Sequence, residues 1–95
     1  MIDDVGGAAN MKKKEFIIRI KNGLHARPAA ELVKGLKSFV STIELYTNSN
    51  KYNPKSIVRL MTANIKEGQL IQVMVKGEDE DELMQWLDEF FAKSK

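Results

Sequence analysis

The sequence predicts an α+β domain of two layers, with three helices packed on one side of a small antiparallel sheet. Two observations carry this reading. Apolar and polar residues alternate over short stretches beginning near Glu15, Thr42 and Leu70, as they do in strands with one buried face. Between and after these stretches, apolar residues recur at three- and four-residue spacing from Ala29, Ile57 and Leu83, as on helices with one buried stripe. The resulting order is strand, helix, strand, strand, helix, strand, helix. Faces and stripes of this kind are buried together only when the helices cover one side of the sheet.

The chain has 95 residues, enough for one domain with a modest core. Residues 1–10 carry Asp3, Asp4 and the small run Gly6-Gly7-Ala8-Ala9 without periodicity, and a second methionine follows at Met11. They read as a leader or disordered extension, with the domain spanning residues 11–95. Without Asp3 and Asp4 the 13 acidic residues become 11, and the formal charge rises from +2 to +4. That excess favours acidic partners but is far below what nucleic-acid binding alone would call for. With no cysteine there is neither a disulfide framework nor a thiolate metal site. The apolar runs are much shorter than a bilayer span and the N-terminus lacks a secretory apolar stretch, so a cytoplasmic protein without membrane insertion is expected.

Taken in order, Glu15 to Ile20 is the first strand, with Phe16, Ile18 and Ile20 on its apolar side. Asn22-Gly23 ends it in a turn. The first helix follows, burying Ala29, Leu32, Val33 and Leu36 and leaving Glu31, Lys34 and Lys37 to water. Proline is tolerated only in the first helical turn, so Pro28 sets the register, with His25 as N-cap and the free amides of Ala26 and Arg27 at the tip. A residue before proline is pushed away from the helical region, which predicts a delay of a residue or two at Arg27. Thr42 to Thr47 is the second strand, with Ile43 and Leu45 inward. Asn48-Ser49-Asn50 turns into a short strand near Lys51 to Asn53, and Pro54 assigns that strand to a sheet edge. Ser56 caps a short helix bearing Ile57, Leu60 and Met61, with at least one of Ile57 and Met61 in the core. Lys66 to Gln69 is a turn, and Leu70 to Lys76 is a strand with Ile71, Val73 and Val75 inward. The acidic run Glu78 to Glu82 opens a final helix carrying Leu83, Leu87 and Phe90. Asp79 and Glu82 stand at capping-box spacing there, and the run lacks the alternation and glycine of a calcium loop.

His25 is the only histidine. At a helix N-terminus its ring faces unpaired amides and the positive end of the macrodipole, a place suited to a phosphoryl group. An imidazole is a nucleophile near neutral pH, and Arg27 adds a cation for phosphate oxygens. Hydrolysis with His25 as general base would need a second catalytic group, and the neighbouring sequence offers only Arg27. An RNA-binding sheet would expose aromatic residues on its first and last strands, and neither strand does so. A surface or capping histidine is the plain alternative.

The stretch Asn22-Gly23-Leu24-His25-Ala26-Arg27-Pro28-Ala29-Ala30 resembles the active-site signature of the HPr family, the histidine-containing phosphocarriers of the bacterial phosphoenolpyruvate-dependent sugar phosphotransferase system. Lys55-Ser56-Ile57 resembles the family's second landmark, with Ser56 thirty-one residues beyond the histidine. The similarity runs from about Lys14 to Phe91. It implies an open-faced β-sandwich with a four-stranded sheet. It also implies that His25 is phosphorylated at Nδ1 by enzyme I and passes the group to the IIA domain of a sugar permease, with Arg27 assisting. Such a protein is a carrier and not an enzyme, and it needs no cofactor or metal. A paralogue in a nitrogen-related or regulatory relay is the alternative within the family.

In Gram-positive relatives a serine kinase/phosphorylase modifies the residue matching Ser56, slowing transfer through the histidine and enabling binding to a catabolite repressor. In others that serine is only a helix cap, and both readings stand here. The family's docking patch maps to Ala26, Arg27, Ile57, Val58 and Met61, with Lys34, Lys37 and Arg59 as a basic rim suited to brief docking on acidic partners. A monomer is expected. Two departures bear on loop geometry: Ala63-Asn64 replaces the usual Leu-Gly pair, and the Asn48-Ser49-Asn50 hairpin lacks the common glycine.

Overall fold

The computed structural model describes residues 11–92, so the reading of residues 1–10 as a leader lies outside the described residues. Four strands, β1 (Met11–Ile17), β2 (Thr42–Thr47), β3 (Asn50–Tyr52) and β4 (Leu70–Lys76), alternate with three helices, α1 (Ala26–Leu36), α2 (Ile57–Thr62) and α3 (Glu80–Ala92). All sheet neighbours are antiparallel, in the order β1-β4-β2-β3. The short strand ending before Pro54 is therefore an edge, as expected.

The core forms where the two periodicities meet. Ile43 lies opposite Val75 and Leu45 opposite Val73, so one sheet face is continuously apolar. Leu32 and Leu36 from α1, Leu60 from α2 and Leu83 and Leu87 from α3 are buried against it. The helices lie on that face, and the sequence-predicted α+β open-faced sandwich is the observed fold. At Gly35 an added Cβ would fall 2.1 Å from the Trp86 ring, so the small residue in α1 provides the seat for the large one in α3. Trp86 in turn stacks on Phe90 with ring centroids 5.3 Å apart, extending the core to the last turn of α3.

The first strand is displaced from its expected span of Glu15 to Ile20. It begins at Met11, and its seven residues pair one for one with β4, from Met11 opposite Lys76 to Ile17 opposite Leu70. Alternation hid this because Lys12 and Lys14 occupy helix-side positions that a strand reading assigns to apolar residues. Their ammonium groups reach α3, where Lys12 pairs with Asp81 at 3.0 Å and Lys14 with Asp88. Lysines so placed also blunt the exposed edge of β1. Ile18 and Ile20 are buried as expected, but beyond the strand, where the Ile18 amide donates to the Gln69 carbonyl at 2.9 Å.

Asp79 departs from its expected capping-box role. Its carboxylate accepts from the amides of Val40 (2.9 Å) and Ser41 (3.0 Å) and from the Ser41 hydroxyl. These donors, the hydroxyl foremost, hold the Asp79 carboxyl below the usual carboxylate range. From the other side, the Lys55 ammonium donates to the carbonyls of Phe39 (3.1 Å) and Ser41 (2.9 Å). The link between α1 and β2 is thus clamped between Lys55, just ahead of the α2 cap, and Asp79, the residue before α3. An added Cβ at Gly77 would come within 2.6 Å of the Ser41 Cα, so this junction closes only with glycine there.

Candidate functional site

The loop before α1 is built to deliver one residue to the helix tip. Asn22 and Gly23 both take the left-handed conformation, with φ of 68° and 75°, and the Gly23 amide donates to the Ile20 carbonyl at 2.8 Å. A Cβ on Gly23 would lie 2.3 Å from the Ile65 carbonyl oxygen, so no side chain fits where the loop crosses the chain beyond α2. The Leu24 amide donates to that same oxygen at 3.0 Å, and its side chain is buried. His25 follows as the extended N-cap of α1, with φ −78° and ψ −172°.

His25 is solvent-exposed and its side chain makes no capping hydrogen bond, so the ring is available to a partner. Its carbonyl accepts the first helical bond from the Ala29 amide at 2.9 Å. Helix geometry then leaves the amides of Ala26 and Arg27 without an intrahelical acceptor, and Pro28 has none to leave. The delay expected at Arg27 does not occur: the helix starts at Ala26, with Pro28 buried in its first turn. No acidic side chain stands in that turn, so the macrodipole and Arg27 act together on any anion at the tip. Among the described residues no group of three or more metal-ligating side chains occurs.

Ser56 is the N-cap of α2, its Oγ accepting from the Arg59 amide at 3.3 Å. The Leu24–Ile65 bond joins the start of α1 to the chain just beyond the end of α2, so Met61 lies at the His25 end of α2 and Ser56 at the other. Ile57, Val58 and Met61 are 39%, 68% and 42% exposed. The expectation that Ile57 or Met61 belongs to the core is therefore corrected. A helix of six residues buries only Leu60, with Ala63 behind it, and leaves the neighbouring stripe to solvent. Ala26 and Arg27 are exposed as well.

The basic residues are more dispersed than a rim requires. Lys34 stands nine residues into α1, about 14 Å along the axis from His25, and Lys37 caps the far end. Arg59 is roughly 160° around α2 from Met61. It faces an open groove shared with Ser56, Thr62 and the β2–β3 hairpin. Spacing alone had not distinguished these directions. Sequence reasoning also missed Glu67, whose Oε1 accepts the Asn22 amide at 3.2 Å. The two lie 45 residues apart, and no local pattern marks their meeting.

Comparison with known proteins agrees with this fold. Residues 12–93 match the family described as the PTS HPr component phosphorylation site. The phosphocarrier protein HPr of Xylella fastidiosa is 41% identical over 81 residues, covering 85% of this chain and 91% of its own. The HPr-like protein Crh of Halalkalibacterium halodurans is 39% identical, covering 87% of this chain and 99% of its own. The crystal structure of HPr from Bacillus anthracis superposes with a TM-score of 0.81 at 32% identity, covering 85% of this chain and 96% of that one. Fold, helix-tip histidine and these matches define a phosphocarrier domain of the phosphotransferase system. Within that class, the chain belongs to the HPr family.

Proposed function

We propose that His25 accepts a phosphoryl group from phospho-enzyme I and passes it to the IIA domain of a sugar permease. The observation that carries this is an exposed imidazole at the N-cap of α1, with no capping bond of its own, ahead of two amides that helix geometry leaves free and an exposed Arg27 in the first turn. Nδ1, unprotonated, attacks phosphorus. The bond from phosphorus to the donor breaks as the bond to Nδ1 forms, and the donor keeps the electron pair. Ala26 and Arg27 amides, the helix dipole and the Arg27 guanidinium stabilise the added negative charge. The second transfer reverses these steps on the acceptor, so the chain is restored and completes no net reaction alone.

Ala26, Arg27, Ile57, Val58 and Met61 serve as the apolar docking patch near the phosphoryl group, and Lys34, Lys37 and Arg59 act as separate longer-range attractions for acidic partners. Ser56 is the candidate for regulation. A phosphate there adds charge next to Ile57 at the start of α2, which suits interference with partner binding. A serine kinase/phosphorylase and a catabolite repressor are the partners that this modification implies. The chain works as a cytoplasmic monomer. Its free histidine favours the carrier role over a purely regulatory relay.

Incubation with labelled phosphoenolpyruvate and enzyme I tests the carrier reading, with His25→Ala alongside. Acid-labile label on the wild-type chain and none on the variant is the expected result. Absence of label from a folded wild-type chain, or full labelling of the variant, overturns it.

A further inference from the structure

Glu67 lies on the turn between α2 and β4, outside the residues given a part in phosphoryl transfer, yet its carboxylate is bonded into the loop that carries His25. Three successive amides of that loop have acceptors: Asn22 to Glu67 Oε1 (3.2 Å), Gly23 to Ile20 (2.8 Å) and Leu24 to Ile65 (3.0 Å). Two of the three acceptors belong to the segment 65–67. That segment is itself held, by the Gly68 amide on the Ile18 carbonyl (2.7 Å) and by the Lys66 amide on Gln69 Oε1 (3.0 Å).

Asn22 is a non-glycine residue at φ 68°, a conformation that asparagine tolerates better than other side chains but at a cost, so an acceptor for its amide helps to hold it. The side chain of His25 makes no cap bond, so the ring takes its position from the backbone that precedes it. Two residues separate Asn22 from His25, and a relaxed Asn22 would swing the imidazole off the helix tip.

We propose that Glu67 is a positioning residue for phosphoryl transfer at His25, accepting the Asn22 amide and thereby holding the left-handed turn that aims the ring at the tip of α1. The proposal rests on the carrier reading above and adds a residue to it. The hydrogen bond, and not the negative charge, is the working part, so an uncharged acceptor of the same length should serve.

The test compares the full chain with Glu67→Ala and Glu67→Gln in three measurements: single-turnover phosphoryl acceptance from phospho-enzyme I, exchange of the Asn22 amide by NMR, and the ¹⁵N resonances of the His25 ring. Glu67→Ala is expected to slow acceptance roughly five- to tenfold, because small misplacements of a reacting group are costly. It should also speed Asn22 exchange and shift the ring resonances at an almost unchanged melting temperature. Glu67→Gln should restore all three to within about twofold of wild type. Wild-type acceptance by Glu67→Ala, unchanged Asn22 exchange in that variant, or a Gln variant as slow as Ala overturns the proposal. If the wild-type chain accepts no phosphoryl group, the carrier reading fails and takes the catalytic part of the proposal with it. The exchange and ring data then decide the positioning of His25 by itself.

Discussion

Asn64 stands where the chain leaves α2, at φ 50°, in a conformation that a glycine would adopt without strain. The departure from the Leu-Gly pair therefore leaves the turn intact, because asparagine tolerates the left-handed region better than other side chains. Asn48 and Ser49, at φ 52° and 65°, do the same in the tight β2–β3 hairpin, where Thr47 pairs with Asn50. Asn64→Ala is expected to lose about 1 kcal/mol in urea unfolding, and Asn64→Gly to stay within about 0.5 kcal/mol of wild type. Equal stability of all three would mean that the left-handed conformation carries no strain. Much of the site was legible at this scale. Asn22-Gly23, the lone His25 and Pro28 are local signals with local causes, and they located the N-cap correctly. Glu67 gave no such signal, since its partner is made a neighbour only by the fold.

α2 shows what a short element can and cannot reveal. Its periodicity marked Ile57, Leu60 and Met61 as an apolar stripe with at least one of Ile57 and Met61 in the core, but six residues offer little more than one turn and a half to the core. Leu60 takes that place, and Ile57 and Met61 stay on the surface. A helix this short depends on its cap. Ser56→Ala should cost about 1 kcal/mol, read as a lowered denaturation midpoint at constant m-value. A variant as stable as wild type would show that the clamp of Lys55 on the 39–41 carbonyls holds α2 without the serine. β1 makes the complementary point. Its first four residues look like a charged tail in the sequence and become a strand because β4 supplies seven partners and α3 supplies Asp81 and Asp88. Long-range pairing decides such an edge, and periodicity alone underestimates it.

Across the whole molecule, the sequence's alternation and helical spacing were enough for the layer order, since each face has one place to be buried. The junctions were not legible. Asp79, read as a helix cap, instead ties the α1–β2 link to the start of α3. Because its folded carboxyl is held below the ordinary value of 3.8, its contribution is fully present above that pH and is lost as the pH falls through the depressed folded value. Acid unfolding followed by circular dichroism should therefore lose part of its pH dependence below about pH 4 in Asp79→Asn. An unchanged acid profile would remove Asp79 from the junction's electrostatics.

Phosphoryl carriage by this chain turns on one atom. Brief exposure of the ¹⁵N-labelled chain to phosphoenolpyruvate and enzyme I, followed by heteronuclear NMR of the histidine ring, reports which nitrogen carries phosphorus. A single phosphoryl group on Nδ1 of His25, with the proton on Nε2, is the predicted result. Phosphorus on Nε2, on Ser56 from the same donor, or on no residue of a folded chain would contradict it.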